Sequence, residues 1–96
     1  MSDNKLIRRA NEEMINELYK LISSLKDAQE CKDLFEDLCT FKEIEQMAQR
    51  IKAAQLLIDG MTYQQVTEKC DISSATLSRV SRCVQYGNGY IKFLKS

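Results

Sequence analysis

The stretch Met61-Thr62-Tyr63-Gln64-Gln65-Val66-Thr67-Glu68-Lys69-Cys70-Asp71-Ile72-Ser73-Ser74-Ala75-Thr76-Leu77-Ser78-Arg79-Val80-Ser81-Arg82 decides the fold. Thr62 with Gln65 three residues on is a capping-box spacing, in which hydroxyl and amide satisfy the orphan N–H groups of a helix start. Val66 and Cys70, four residues apart, give a two-turn helix one inward edge. Asp71-Ile72-Ser73 reads as a tight turn, and Ser73 as the N-cap of a helix from Ser74 to about Tyr86. Two short helices joined by a three-residue turn have helix-turn-helix dimensions. Val66, Cys70, Ile72, Leu77 and Val80 are the apolar positions that would lock them at a steep angle.

Once those positions turn inward, Ser74, Ala75, Ser78, Arg79 and Arg82 are left facing outward, with Thr76 at the margin. Small and hydroxylated side chains let a helix sink into a major groove and reach base edges or thymine methyls. Arginines further along suit the flanking phosphates. Tyr63, Gln64 and Thr67 of the preceding helix, and Ser73 at the turn, fall where backbone contacts are expected. The candidate DNA-binding set is therefore Tyr63, Gln64, Thr67, Ser73, Ser74, Ala75, Thr76, Ser78, Arg79 and Arg82.

Upstream, the pattern is helical as well. Leu6, Ile7, Ala10, Met14, Ile15, Leu18, Leu21, Ile22 and Leu25 keep the three-and-four spacing of an amphipathic helix about five turns long. Asp27 and Glu30 form a capping signal for a short helix carrying Cys31, Leu34, Phe35 and Leu38 on one face. Thr40 and Glu43 make a capping box, and Gly60 supplies the left-handed residue that ends a helix. Between them, Phe41, Ile44, Met47, Ala48, Ile51, Ala54, Leu57 and Ile58 form one broad apolar face of a central scaffold helix. Beyond Gly87-Asn88-Gly89, a last short helix brings Tyr90 or Ile91, and Phe93 or Leu94, back to the core. No segment alternates with period two, so the expected class is all-α. The expected organisation is a single domain over 1–96, with dimerisation and scaffold helices in 1–60, the helix-turn-helix in 61–87 and a C-terminal helix in 88–96.

Composition narrows the function. The 96 residues carry 14 Lys+Arg and 14 Asp+Glu, with no His, Pro or Trp. Without histidine, the commonest general base and metal ligand is missing. No carboxylates are paired at catalytic spacing, and Gly60, Gly87 and Gly89 build no phosphate cradle. An enzyme, a metal site and a cofactor are not expected. Cys31, Cys39, Cys70 and Cys83 include no C-x-x-C pair, and read as reduced, buried thiols acting as small hydrophobes. No apolar run is long enough for a membrane span, and Met1-Ser2-Asp3-Asn4-Lys5 leads into no apolar signal core, so a cytoplasmic location is expected.

Neutrality conceals a gradient. Residues 1–40 hold six basic and nine acidic residues, 41–60 three of each, and 61–96 five basic and two acidic. The net charge thus runs from −3 through zero to +3, with the positive end on the candidate reading head. An excess of three implies weak, salt-sensitive binding by each chain alone. The long first helix carries more apolar surface than the short helices could cover, which predicts a homodimer. Two-fold symmetry would set two recognition helices about 34 Å apart, on a pseudo-palindromic site.

These residues also carry a resemblance. Ala75-Thr76-Leu77-Ser78-Arg79-Val80-Ser81, with Thr40, Arg50 and Gly60 at their upstream spacings, resembles the Trp repressor superfamily. Leu38-Cys39-Thr40, Ala48-Gln49-Arg50 and Arg82-Cys83…Tyr86-Gly87-Asn88 are similar to its Trp-repressor-related branch of small bacterial proteins, the YerC/YecD group. The resemblance spans about Leu21 to Asn88 and implies a Trp-repressor-like helical bundle, an intertwined homodimer whose paired heads bind operator-like double-stranded DNA. In Trp repressor two arginines sandwich the tryptophan indole and a glycine follows the second. Arg50 and Arg79 match the arginines, but Val80 stands at the glycine and Asp37 at a leucine that helps line the pocket. The resemblance therefore implies a candidate ligand pocket at Thr40, Arg50, Arg79 and Val80 that does not take tryptophan. Arg50 and Arg79 are then expected in phosphate contacts or in ion pairs with Asp37 or a nearby Glu.

The leading expectation is a sequence-specific transcriptional regulator, a repressor by occlusion. Two alternatives stand beside it: a protein-interaction module that keeps the fold without DNA binding, and a regulator gated by another small ligand near Arg50 and Arg79.

Overall fold

The computed structural model describes residues 2–95, which form six helices and, among the described residues, no strand. In chain order these are α1 (Ser2–Ser23), α2 (Ala28–Leu38), α3 (Phe41–Ile58), α4 (Tyr63–Lys69), α5 (Ser74–Tyr86) and α6 (Tyr90–Leu94). They divide into two compact units, one ending at Leu38 and the other beginning at Cys39. The scaffold helix α3 therefore lies in the same compact unit as α4, α5 and α6.

In the first unit, α1 stops two residues short of the expected Leu25. The Ser23 hydroxyl donates to the Lys20 carbonyl at 2.8 Å and the Ser24 hydroxyl to that of Leu21. Ser24 N–H also turns back to Leu21 O at 3.1 Å, so the last turn tightens instead of extending. At the start of α2, Asp27 Oδ1 accepts the Glu30 N–H at 2.9 Å, the forward half of the capping signal. The return bond goes one residue further back, from Lys26 N–H to Glu30 Oε1 at 2.8 Å.

The second unit is built from sharper signals. Thr40 Oγ1 accepts the Glu43 N–H at 3.1 Å while Glu43 Oε1 accepts the Thr40 N–H at 2.8 Å. Thr62 and Gln65 repeat the same reciprocal pair at the start of α4. At the far end of α3, Gly60 has φ +96°, and Met61 N–H reaches Leu56 O while Gly60 N–H reaches Leu57 O, both at 3.0 Å. That is the Schellman arrangement, in which a left-handed residue lets two terminal carbonyls be satisfied.

The core gathers Ala53, Ala54 and Leu56 of α3 with Val66 and Cys70 around α4 and Leu77 and Val80 of α5. Ile72, Val84, Tyr90 and Leu94 pack around its edge. For α6 this selects Tyr90 and Leu94 as the inward pair, and leaves Phe93 exposed. The face of α3 differs from the expected one. Ala53 and Leu56, outside that face, are buried, whereas Phe41, Ala48 and Ile51 are exposed. The apolar stripe of α1 is exposed as well, from Leu6 and Ile7 to Leu21. All four cysteines are free thiols, but only Cys70 is buried and Cys31 is exposed, correcting the reading of all four as core residues.

Glu43 gives the fold an acid-sensitive joint. The Thr40 N–H, and secondly the Thr40 hydroxyl, hold its carboxyl below the usual glutamate range. Because the folded value lies below the unfolded one, this contribution is complete above the unfolded pKa and is lost as pH falls through the folded one. Chemical denaturation from pH 7 to pH 3 is expected to show the stability gap between wild type and Glu43→Gln narrowing as the pH drops. A gap that stays constant would show that the carboxylate charge contributes nothing to the cap.

Candidate nucleic-acid interface

The surface of α5 follows directly from how the helix is locked. Leu77, Val80 and Ser81 are buried, so the opposite side presents Ser74, Ala75, Ser78, Arg79 and Arg82, all exposed, with Thr76 half-buried. Among the described residues, the side chains of Ser74, Ser78, Arg79 and Arg82 form no intramolecular hydrogen bond or ion pair, and their donors are free for a ligand. Tyr63, Gln64 and Thr67 are exposed on α4, though the Thr67 hydroxyl donates to Gln64 O at 2.8 Å within its own helix.

Ser73 is engaged differently. Its Oγ accepts the Thr76 N–H at 3.2 Å and donates to Thr76 Oγ1 at 3.0 Å. The Ser73 hydroxyl is thus committed to starting α5, whereas Thr76 Oγ1 only accepts and keeps its own O–H as a donor.

Arg50 and Arg79 come together. With Thr76, Val80, Cys83 and Tyr90 they line a cleft of about 420 Å³ between α3, α5 and α6. Val80 is buried at its wall, which fills space with a branched side chain. Thr40 does not line this cleft. It caps α3 ten residues before Arg50, about 15 Å away along the helix at ~1.5 Å per residue. Within the second unit neither arginine pairs with an Asp or Glu; the one ion pair among the described residues is Lys32–Glu36 at 3.9 Å, in the first unit.

Sequence reasoning missed a second group. Lys42, Gln46, Gln49 and Arg50 line a further cleft of about 470 Å³ against the turn before α5. Their i, i+4, i+7, i+8 spacing is a signal present in the sequence, masked by the apolar residues interleaved along the same helix. Cys83 and Tyr90 of the arginine cleft were also missed: Cys83 lies one turn after Arg79 on α5, a spacing present in the sequence, whereas only the folding back of α6 places Tyr90 there.

Comparison with known proteins identifies the family. Residues 13–96 match the family described as Trp repressor protein. The uncharacterized protein YerC of Bacillus subtilis (strain 168) is 46% identical over 74 residues, covering 77% of this chain and 71% of YerC. Among solved structures, a candidate Trp repressor from Staphylococcus aureus matches with TM-score 0.77 and 38% identity, over 81% of this chain and 79% of that one. A TrpR-like protein from Eubacterium eligens matches with TM-score 0.77 and 44% identity, over 81% of each chain. The chain belongs to the Trp repressor family, a family of DNA-binding regulators and not of enzymes.

The division of labour at the start of α5 can be measured. Ser73→Ala should lower unfolding stability by about 1 kcal/mol through the lost cap. Ser74→Ala, on the exposed side, should stay within about 0.5 kcal/mol of wild type. Equal losses in urea denaturation would contradict the assignment of Ser73 to the cap.

Proposed function

We propose that this member of the Trp repressor family is a sequence-specific transcriptional regulator, a repressor that excludes other proteins from the site it covers. Two copies bind a pseudo-palindromic site in double-stranded DNA, each through α4 and α5 acting as a helix-turn-helix. The observation that carries the reading is the outer side of α5: Ser74, Ala75, Ser78, Arg79 and Arg82 exposed along one strip. Ser74, Ala75 and Ser78 are short enough to let the helix backbone enter a major groove, and Arg79 and Arg82 continue the strip where guanine edges or phosphates lie. The homodimer draws on the exposed apolar stripe of α1, an area of a kind that soluble proteins seldom leave uncovered. In this reading the protein works in the cytoplasm, where the DNA is.

Selection of binding sites from fragmented genomic DNA with the purified protein is expected to enrich a two-fold-symmetric motif. Arg79→Ala should weaken binding to that motif by about 1–3 kcal/mol, roughly fivefold to 150-fold. An unselective pool, unchanged by salt, would identify a protein-interaction module instead.

The cleft at Arg50 and Arg79 supports a second reading, regulation by a small anionic ligand. Two guanidiniums without a carboxylate partner among the described residues suit an acidic group, while the branched Val80 side chain at the wall disfavours an indole. Calorimetric titration with tryptophan should give no saturable heat at micromolar concentrations. Saturable micromolar binding would overturn the argument from Val80.

A further inference from the structure

The cleft between the first half of α3 and the turn before α5 shares only Ser73 and Thr76 with the candidate DNA-binding set. Its α3 wall is a single stripe of N–H donors: the Lys42 ammonium, the Gln46 and Gln49 amides and the Arg50 guanidinium. Among the described residues, none of these four side chains is engaged in a hydrogen bond or ion pair within the chain. The facing wall contributes one carboxylate, Asp71, and the Ser73–Thr76 pair that starts α5. Donors therefore outnumber acceptors, and the formal charge of the lining is +1, from two cations against one acid.

Lys42 is poorly placed for a structural role. It is the second residue of an 18-residue helix, where the macrodipole disfavours a cation. Its neighbour Glu43 already completes the capping box, and Lys42 has no ion-pair partner among the described residues. Ser74 and Ala75, exposed on α5, directly follow Ser73 in the cleft wall. The exposed strip of α5 and the cleft are therefore adjacent in the chain at Ser73.

We propose that this cleft seats a backbone phosphate of the bound DNA, flanking the bases that α5 meets. Lys42 supplies the charge, Gln46 and Gln49 supply directional N–H donors, and Arg50 closes the inner end. The proposal rests on the reading of α5 as a DNA-recognition helix and extends the footprint onto α3. Asp71 opposes the phosphate and holds this contact weak.

The test measures affinity of the full chain for the selected duplex, and for a scrambled one, across a salt series. Lys42→Gln should reduce the slope of log K against log salt by about 0.9 per reading head. It should weaken both duplexes by the same factor, because a phosphate contact carries no sequence information. Asp71→Asn should tighten both. Lys52→Gln, an exposed charge on α3 that does not line the cleft, should leave the slope unchanged. The thermal midpoint of Lys42→Gln should match or exceed wild type, separating lost contact from lost fold.

An unchanged slope in Lys42→Gln, with Arg79→Ala still weakening binding to the selected motif, overturns the cleft proposal and leaves the DNA reading standing. Equal slope losses in Lys42→Gln and Lys52→Gln overturn it as well, since the effect would then be general charge. Saturable binding of inorganic phosphate to the protein alone, lost in Lys42→Gln while the DNA slope is unchanged, assigns the cleft to a free anion and overturns the DNA source. If no duplex binds wild type at any salt, both readings fall together.

Discussion

Ala53 and Ala54 are fully buried in the middle of α3, in the same core as Leu77 and Val80 of α5. Side chains of one methyl group let the two helices approach closely, and the larger residues on α5 fill the space that remains. Everything outward on α5 depends on that contact. With Leu77 and Val80 held inward, the helix has no rotational freedom left, and Ser74, Ser78, Arg79 and Arg82 must face away. Val66 and Cys70 extend the same core to α4, so the turn between the helices is fixed from both ends. A bulkier residue at Ala53 or Ala54 would overpack the core and rotate the reading surface before it touched any functional side chain.

Local chemistry is legible in the amino-acid sequence, and the tertiary choice of face is not. Thr40–Glu43, Thr62–Gln65 and Ser73 are legible because a cap involves only residues three apart. Gly60 is legible because few other residues adopt a left-handed backbone without strain. The face of α3 is less so, because apolar residues surround much of that helix and periodicity alone does not rank one side above another. What decides it is small size: Ala53 reads as a weak hydrophobe in a pattern, yet it is buried completely where the helices pack. The α6 register has the same ambiguity, with Tyr90-Ile91 and Phe93-Leu94 each offering two candidates. The outward side of α5 is legible, whereas the two clefts are not, since both join residues of α3 to residues more than twenty positions away.

The exposed apolar residues fall in each compact unit. In the first they follow the stripe of α1; in the second, the exposed Ile51 and Phe93, with the half-buried Tyr90 and Leu94, line an open groove of about 490 Å³ beside Gly87. Gly87 allows this groove its shape, because a Cβ there would lie 2.6 Å from the Cys83 carbonyl oxygen. Apolar surface of this extent supports the proposed self-association. In the proposed homodimer, two-fold pairing would double the +3 of residues 61–96 and turn a weak single contact into a bivalent one.

Arg50 and Thr76 line both clefts of the reading head. The wall between the clefts is therefore one guanidinium and one hydroxyl, and Thr76 is already tied to Ser73. A phosphate on the α3 side and an acidic ligand beside Arg79 would draw on the same positive charge. Since both are anions, occupancy of one lowers the field available to the other, and linkage makes the effect reciprocal. An acidic ligand in the arginine cleft would then loosen the grip on DNA rather than strengthen it, unless it also moved α5. The sign of any such response follows from one shared arginine, and it is opposite to that of a ligand whose charge added to the DNA-facing side.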